Sequence, residues 1–401
     1  MALPKVIINF ANGALGAVAP SADGVMGLIC TATAVSSTFA LKTAYKLTKL
    51  ADLTTLGVTL ANNPALYKHV SEFYLEAGAA SEAVLWIMGV ADTVTLANMA
   101  DSTDATIAPA LLLAAQGAIR GLVFARDPAS GYTPTTTNGL DSDVFAAVTA
   151  AQALCAYAQA SLAAPIFAIV EGRSYTGTPG DLTDMRLATT NRVAVLIGDT
   201  ANNSGDACVG ILAGRIAKIQ VMRNIGRLKD GALAISAAYV KDKAVDKADL
   251  AGIHDKGYIT LRTHVGKVGF FFSDDPLCTS VSDDYGQLTA RRTVDKAYRI
   301  AYTTLLDELL DNLPVLPDGT LQPAIVKAWQ AKVENAIALS MTSNGELSAD
   351  PTNPNDRGVS CFINASQNVV STSKVTGSIR VRPFGYARTI EVDLGFQTIT
   401  A

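Results

Sequence analysis

Two windows of this sequence carry the strict alternation of a half-buried β-strand. Ile390, Val392, Leu394 and Phe396 alternate with Thr389, Glu391, Asp393 and Gly395. Val6, Ile8 and Phe10 alternate with Lys5, Ile7 and Asn9. A period of two puts each apolar row on one face. The first window predicts a strand over 387–399. After the second, Gly13, Gly16, Pro20 and Gly24 interrupt any helix, so residues 1–20 read as an extended arm.

Between these windows, helical and extended patterns take turns. Residues 24–33 (GVMGLICTAT) read as the first strand of a folded body. Asn63 caps a predicted helix opened by Pro64, whose Leu66, Val70, Phe73 and Ala77 form one stripe. Strands are predicted over 84–90, 121–125, 165–171 and 192–198, with helices over 107–118 and 141–160 and a shorter helical stretch over 181–188. Near-continuous apolar strands alternating with helices predict an α/β body on a mostly parallel sheet covered on both faces. Residues 205–250 are mixed. Residues 257–263 and 267–273 predict a hairpin. A long helix is predicted over 288–313, with Val294, Tyr298, Ala301, Leu305, Leu309 and Leu313 on one face, stopped by Pro314 and Pro317. Pro323 opens another, with Ile325, Trp329, Val333 and Ile337 inward, and β segments over 359–365 and 375–382 precede the final one. The expected division is an arm (1–20), an α/β body with an outward-facing insert (21–272) and an α+β C-terminal domain (273–401) ending in a linking strand (386–401).

Composition shifts the balance toward assembly. The 401 residues are 49% hydrophobic and only 17% charged, less than is usual. A surface so weakly polar fits an exterior hidden among other copies; an Ala-rich enzyme is the competing account. Net charge is −4 and no Lys/Arg run exceeds two residues, so the dense cationic stripe that phosphate binding needs is missing and nucleic acid is not an expected partner. Cys30, Cys155, Cys208, Cys278 and Cys361 are far apart and lack CxxC spacing, which reads as buried thiols in a reducing compartment. Asn9 and Asn12 break the start too early for a secretory signal. The longest apolar stretch, 144–170, is interrupted by Gln152, Gln159, Ser161 and Pro165 and reads as a buried helix feeding a buried strand, with no membrane insertion.

Motifs for chemistry are sparse. His69, His254 and His264 have no partner at metal-ligand spacing. No GxxxxGK[ST] or GxGxxG follows a predicted strand. Gly172-Arg173-Ser174-Tyr175-Thr176 misses the nucleophile elbow, which needs glycine where Thr176 stands. Asp274, Asp275, Asp283 and Asp284 precede the long helix, where acidic groups suit the positive helix end; a Mg²⁺ or acid–base role is the alternative. Asp350, Asn353, Asn355 and Asp356 read as a turn-rich loop. Ligands of an open parallel sheet bind beyond the carboxyl ends of its strands, and those positions hold Arg126, Asp127, Glu171, Arg173 and Asp199. No catalytic, cofactor-binding or metal site is expected.

The positive signal lies in the two alternating windows. Strand addition draws affinity from backbone hydrogen bonds and specificity from alternate side chains. Burying Ile390, Val392, Leu394 and Phe396 stabilises by about 6–12 kcal/mol before entropic costs. Either both windows fold back as edge strands of their own domain, or other copies take them up.

The sequence resembles the sheath proteins of contractile phage tails and related injection machines. The resemblance is carried by FFSDDPLCTSVSDDYGQLTARRTVDKAYRIAYTTLLDELL (271–310), by LPDGTLQP and the helix after it, and by SIRVRPFGYARTIEVDLGF near residue 396. GVMGLICTAT, LADLTTLGV and FYLEAG fit as well, while 100–250 matches only as a generic α/β insert. The resemblance implies a non-enzymatic subunit without cofactors that polymerises into six-fold rings stacked around an inner tube. Baseplate and terminator proteins are implied partners. Assembly is implied in the bacterial cytoplasm, with function in a virion tail or injection particle. It assigns subunit linking to Val6, Ile8, Phe10, Ile390, Val392, Leu394 and Phe396, and contacts with the tube or a neighbour to Arg380, Arg382 and Arg388. An α/β enzyme, or a capsid or surface-layer subunit, is the alternative.

Overall fold

The structure, a computed structural model, describes residues 22–78 and 83–395. Val6, Ile8, Phe10 and Phe396 lie outside the described residues. The chain divides into two compact units, one up to Arg299 and one from Ile300.

The first unit is built on one large sheet. Its strands are β1 (Val25–Thr31), β2 (Ala44–Leu47), β3 (Val84–Val90), β4 (Gly121–Ala125), β5 (Phe167–Glu171), β6 (Val193–Ile197), β7 (Ile259–His264) and β8 (Lys267–Phe272). Their order is β8-β7-β6-β5-β4-β1-β3-β2. The six inner strands are parallel, and β2 and β8 close the sides antiparallel. Every residue of β4, β5 and β6 is buried. Successive side chains point to opposite faces, so both faces are covered, as the apolar runs predict.

Helix α1 (Pro64–Ala77) buries the expected stripe of Leu66, Val70, Phe73 and Ala77. Asn63 differs from expectation: its side chain makes no cap bond and instead accepts from the Thr33 amide (2.6 Å) and donates to the Thr33 carbonyl (3.1 Å). It thus ties the helix start to the end of β1. Helix α2 (Ser142–Leu162) is long and apolar enough by composition to cross a membrane. Here its Val144, Ala147, Ala151, Leu154, Cys155 and Ala158 lie in the core. Helix α3 (Val209–Lys218) lies in the stretch that shows no period in sequence, and everything from Val209 to Ala217 is buried.

Helices α1 and α3 meet at very short range because α3 carries Gly210 and Gly214 one turn apart. A Cβ on Gly214 would lie 2.5 Å from the Phe73 carbonyl oxygen, and one on Gly210 closer still to that of His69. The same contact encloses an ion pair, Arg215 Nε to Glu76 Oε1 at 2.7 Å, with both side chains essentially inaccessible. Glu76 Oε2 also accepts from the Ala234 amide (2.7 Å), and Arg215 donates to the Asp230 and Gly231 carbonyls. These added bonds offset part of the desolvation cost of the buried pair.

Helix α4 (Leu288–Leu306) ends seven residues before the expected Leu313. Its buried positions are Leu288, Thr289, Arg291, Arg292, Thr293, Asp295, Ala297 and Ala301, whereas Val294 and Tyr298 are only half-buried. The second unit holds α5 (Pro323–Ile337), packed on the antiparallel pair β9 (Val359–Ile363) and β10 (Gly377–Val381). Val333 and Ile337 are fully buried, and Leu321, Val326 and Ile363 form a small core with Trp329, Cys361 and Val375 against it. No strand forms over 383–395, so the strand expected over 387–399 is absent from its described part.

Replacing Gly214 by Leu drives a side chain into the Phe73 carbonyl and is expected to cost about 3 kcal/mol. Gly180→Ala, where nothing lies within 4 Å, is expected to stay within about 0.5 kcal/mol of the parent. Denaturant unfolding of both variants checks this; equal midpoints would show that α1 and α3 have room to part.

Candidate functional site

The carboxyl ends of the parallel strands are the first place to look for chemistry. Glu171, at the end of β5, is completely buried. It accepts from the Arg126 amide (2.9 Å) and the Ala207 amide (3.1 Å). Arg173 lies 3.5 Å from Glu171, donates to Asp206 (2.9 Å) and reaches the Arg126 carbonyl. Arg126 bonds Asp143 (3.1 Å) and lies over the Tyr132 ring. Asp199, at the end of β6, takes both oxygens to Lys68 (2.7 Å each) and accepts from Ser204 (2.6 Å). Asp127 is half-exposed, and its amide donates to Thr31 (3.1 Å).

Burial pushes the Glu171 carboxyl up against the pull of Arg173. For Asp199, burial is outweighed by Lys68 and Ser204, and the carboxyl sits below its usual range. The charges of Arg126, Glu171, Arg173 and Asp199 are therefore each committed to a partner within the unit. A cavity of about 440 Å³ opens beside them, lined by Ser174, Thr176, Asp199, Ser204, Asp206 and Lys241, with no imidazole in its wall. Ser174 follows β5 at a left-handed φ of 54°, yet faces neither a base nor an oxyanion cradle that the sequence or structure identifies. Among the described residues no three His, Cys, Asp or Glu side chains gather as a metal site.

Of the acidic residues before α4, Asp275 serves the start of that helix and Asp283 ties the preceding loop. Asp275 is fully buried; its Oδ2 accepts from the Thr289 amide (2.8 Å) at the helix start, and Asn224 donates to its Oδ1 (2.7 Å). Asp283 accepts from the Tyr285 amide (2.8 Å) and from Asn191 and Thr279. Further along the helix, Arg292 donates to the Ile216 (3.0 Å) and Ile219 (2.9 Å) carbonyls and so caps the end of α3. Asp295 pairs with Arg192 (3.0 Å) and Arg291 (3.1 Å), and Lys296 and Arg299 pair with Asp23 at 2.6 and 3.1 Å. The segment that carries the sequence resemblance is thus a set of fasteners for the first turns of α4. Sequence reasoning placed Asp275 at the helix start but missed its partner Asn224 and the pairing of Asp295 with Arg192, both from far away along the chain.

The second unit offers a different kind of site. Its sheet has two strands and hence two edges. Val359, Cys361 and Ile363 face the same side as Val381, Ile379 and Gly377, and α5 covers mainly the β9 part of that face. Beside β10 an apolar groove of about 660 Å³ remains, lined by Leu309, Leu313, Trp329, Val369, Val375 and Ile379. Ile390, Val392 and Leu394 are 79%, 79% and 98% exposed. Arg380 is exposed, Arg382 pairs with Asp356, and the Arg388 guanidinium lies 5.9 Å from the Tyr386 ring centre. The structure thus places an apolar alternating segment in solvent within a unit that has uncovered sheet edges.

Residues 3–276 match the family described as DUF2586, N-terminal domain, and residues 284–400 match DUF2586, C-terminal domain. No curated protein matches the sequence. The chain is similar to the anti-feeding prophage (AFP) helical sheath in contracted state, at 15% identity over 98% of this chain and 99% of that one, TM-score 0.62. It is similar to the sheath complex of an extracellular contractile injection system, PVC, in contracted state, at 15% identity over 98% of both chains, TM-score 0.63. A chain of the AFP baseplate, 6-fold symmetrised, aligns at 15% identity over 99% of this chain and 100% of that one, TM-score 0.64. The sheath-protein fold implied by the sequence resemblance is present.

Burial and the Asp274 charge push the Asp275 carboxyl up to about 7. The folded value exceeds the unfolded one, so the neutral acid is favoured in the fold. Its contribution is complete below about pH 4 and is lost as pH rises toward 7. Asp275→Asn stays neutral throughout. The stability of the parent minus that of the variant is expected to fall across this window by on the order of 1.4 kcal/mol per pH unit and to be flat above it. Denaturant unfolding at a series of pH values measures this; a flat difference from pH 4 to 7 counts against a neutral Asp275.

Proposed function

We propose that this chain, which belongs to the DUF2586 family, is a structural subunit of a contractile injection machine that polymerises into six-fold rings stacked around an inner tube. The observation that carries this reading is the exposed apolar row of Ile390, Val392 and Leu394 in a unit with uncovered sheet edges, within a fold that follows sheath structures along nearly its whole length. Strand addition from copy to copy removes both defects at once: backbone groups gain partners and the apolar row leaves water. Such a contact is head-to-tail, so it propagates into rings or helical arrays.

In this reading Val6, Ile8, Phe10, Ile390, Val392, Leu394 and Phe396 link subunits. Arg380, Arg382 and Arg388 are the candidates for contacts with the tube or a neighbour, and Arg382 also pairs with Asp356. Contraction draws on a change of packing between subunits and needs no bound nucleotide, which agrees with strand-end charges that are committed internally. The subunit assembles in the bacterial cytoplasm with tube, baseplate and terminator proteins and functions in the finished particle. The likeness to a baseplate chain supports a second reading, a ring at the end of the tube instead of along it.

Purified chain is expected to form tubes or stacked rings in negative-stain electron microscopy. Removing residues 386–401, or introducing Val392→Asp together with Leu394→Asp, is expected to leave dispersed subunits with unchanged circular dichroism. Tubes of normal abundance from either altered chain would sink the proposal.

A further inference from the structure

The two edges of the β9–β10 pair are not equivalent. The Arg382 amide donates to the Gly358 carbonyl (2.8 Å) and the Asn364 amide to the Thr376 carbonyl (3.2 Å). In an antiparallel ladder, pairs that exchange bonds alternate with pairs that do not. This phase makes 360 with 380 and 362 with 378 the bonded pairs. Val359, Cys361 and Ile363 therefore turn their N–H and C=O groups to one edge, and Gly377, Ile379 and Val381 turn theirs to the other. The central donor of the first edge is taken: the Cys361 amide donates to Glu334 Oε1 at 2.8 Å. Glu334 sits on α5 and is half-buried. Among the described residues no side chain does the same for Ile379, which lines the apolar groove together with Cys361, Ile363, Gly377 and Ser378.

We propose that Glu334 is an edge gate, holding the Val359–Ile363 edge shut in the unassembled subunit so that strands from other copies are accepted in order. The first joins along Gly377–Val381, and the occupant is the 389–395 segment of a second copy. Its exposed Ile390, Val392 and Leu394 match an edge whose groove side is apolar. The second edge accepts a strand only after the carboxylate has released Cys361. A bond from an amide to a carboxylate is stronger than one to a neutral carbonyl, so an incoming strand meets a resistance on this edge that it does not meet on the other. Glu334 reaches water without crossing the core, so release requires only a rotamer change. A capped edge also protects a lone subunit from pairing with the wrong strand. This inference rests on the self-assembly reading above.

The test joins hydrogen exchange of the unassembled full chain with light scattering and electron microscopy of its assembly, for the parent, Glu334→Gln and Glu334→Ala. In the parent, the Cys361 amide is expected to exchange at least about tenfold more slowly than the Ile379 amide. Glu334→Ala is expected to erase that difference and to lower the concentration at which tubes form by roughly tenfold. Glu334→Gln keeps a neutral acceptor and is expected to fall between. Equal exchange at the two amides overturns the gate, as does a Glu334→Ala chain that assembles no more readily than a tube-forming parent; both results leave the assembly reading intact. A parent that never polymerises overturns both. The exchange comparison within the parent requires no variant to fold and decides the matter even if Glu334→Ala does not.

Discussion

Every backbone N–H and C=O taken from water needs a partner, and the two units of this chain meet that demand differently. In the first unit six parallel strands bond each other, and β2 and β8 pair antiparallel at the two sides. Inside this sheet the demand is met strand by strand, leaving the outer sides of β2 and β8, and a large apolar core packs on it. In the second unit a two-stranded sheet meets half of the demand. One edge is partly answered by Glu334, while the other stands beside an apolar groove. A two-stranded sheet is marginal in water by itself. The helix α5 supports one side of it, mainly through β9.

Charge is used in the same economical manner. The chain has few ionisable residues, and many of them are turned inward. Glu76–Arg215, Asp295 with Arg192 and Arg291, and Asp23 with Lys296 and Arg299 are buried or nearly so. Such pairs add little net stability compared with apolar packing, but removing one partner strands the other. Their value here is positional. They join α1 to α3 through Glu76–Arg215 and fasten α4 to Arg192 and Asp23. Directional bonds fix the relative positions of elements better than apolar contacts do.

The strand-end crevice illustrates why fold is a poor guide to chemistry. The sheet has the order and polarity that place ligands beyond the strand ends in many enzymes. Here Glu171, Arg173 and the Arg126 backbone bond one another, and Asp199 is taken by Lys68 and Ser204. The scaffold is shared with catalysts; the site has become a set of internal ties.

The inner strands were legible in sequence because a strand buried on both faces is apolar at every position, a purely local signature. The stripe on α1 was legible for a similar reason, since one of its faces meets water. Helix α3 was not, because Gly210 and Gly214 weaken the local helical signal and are explained only by the close contact with α1. Helix α4 misled in the opposite sense: its apolar stripe is half-exposed, while Arg291, Arg292 and Asp295 are buried against partners as far off in sequence as Arg192. For the candidate site, the alternation at Ile390, Val392 and Leu394 was plain from the residues alone, whereas its lack of a partner, and the capping of Cys361 by Glu334, were not. The sequence by itself determined which segments are apolar and with what period. Only the tertiary structure decided which charges meet and which edges stay open, because those outcomes depend on groups brought together from distant parts of the chain.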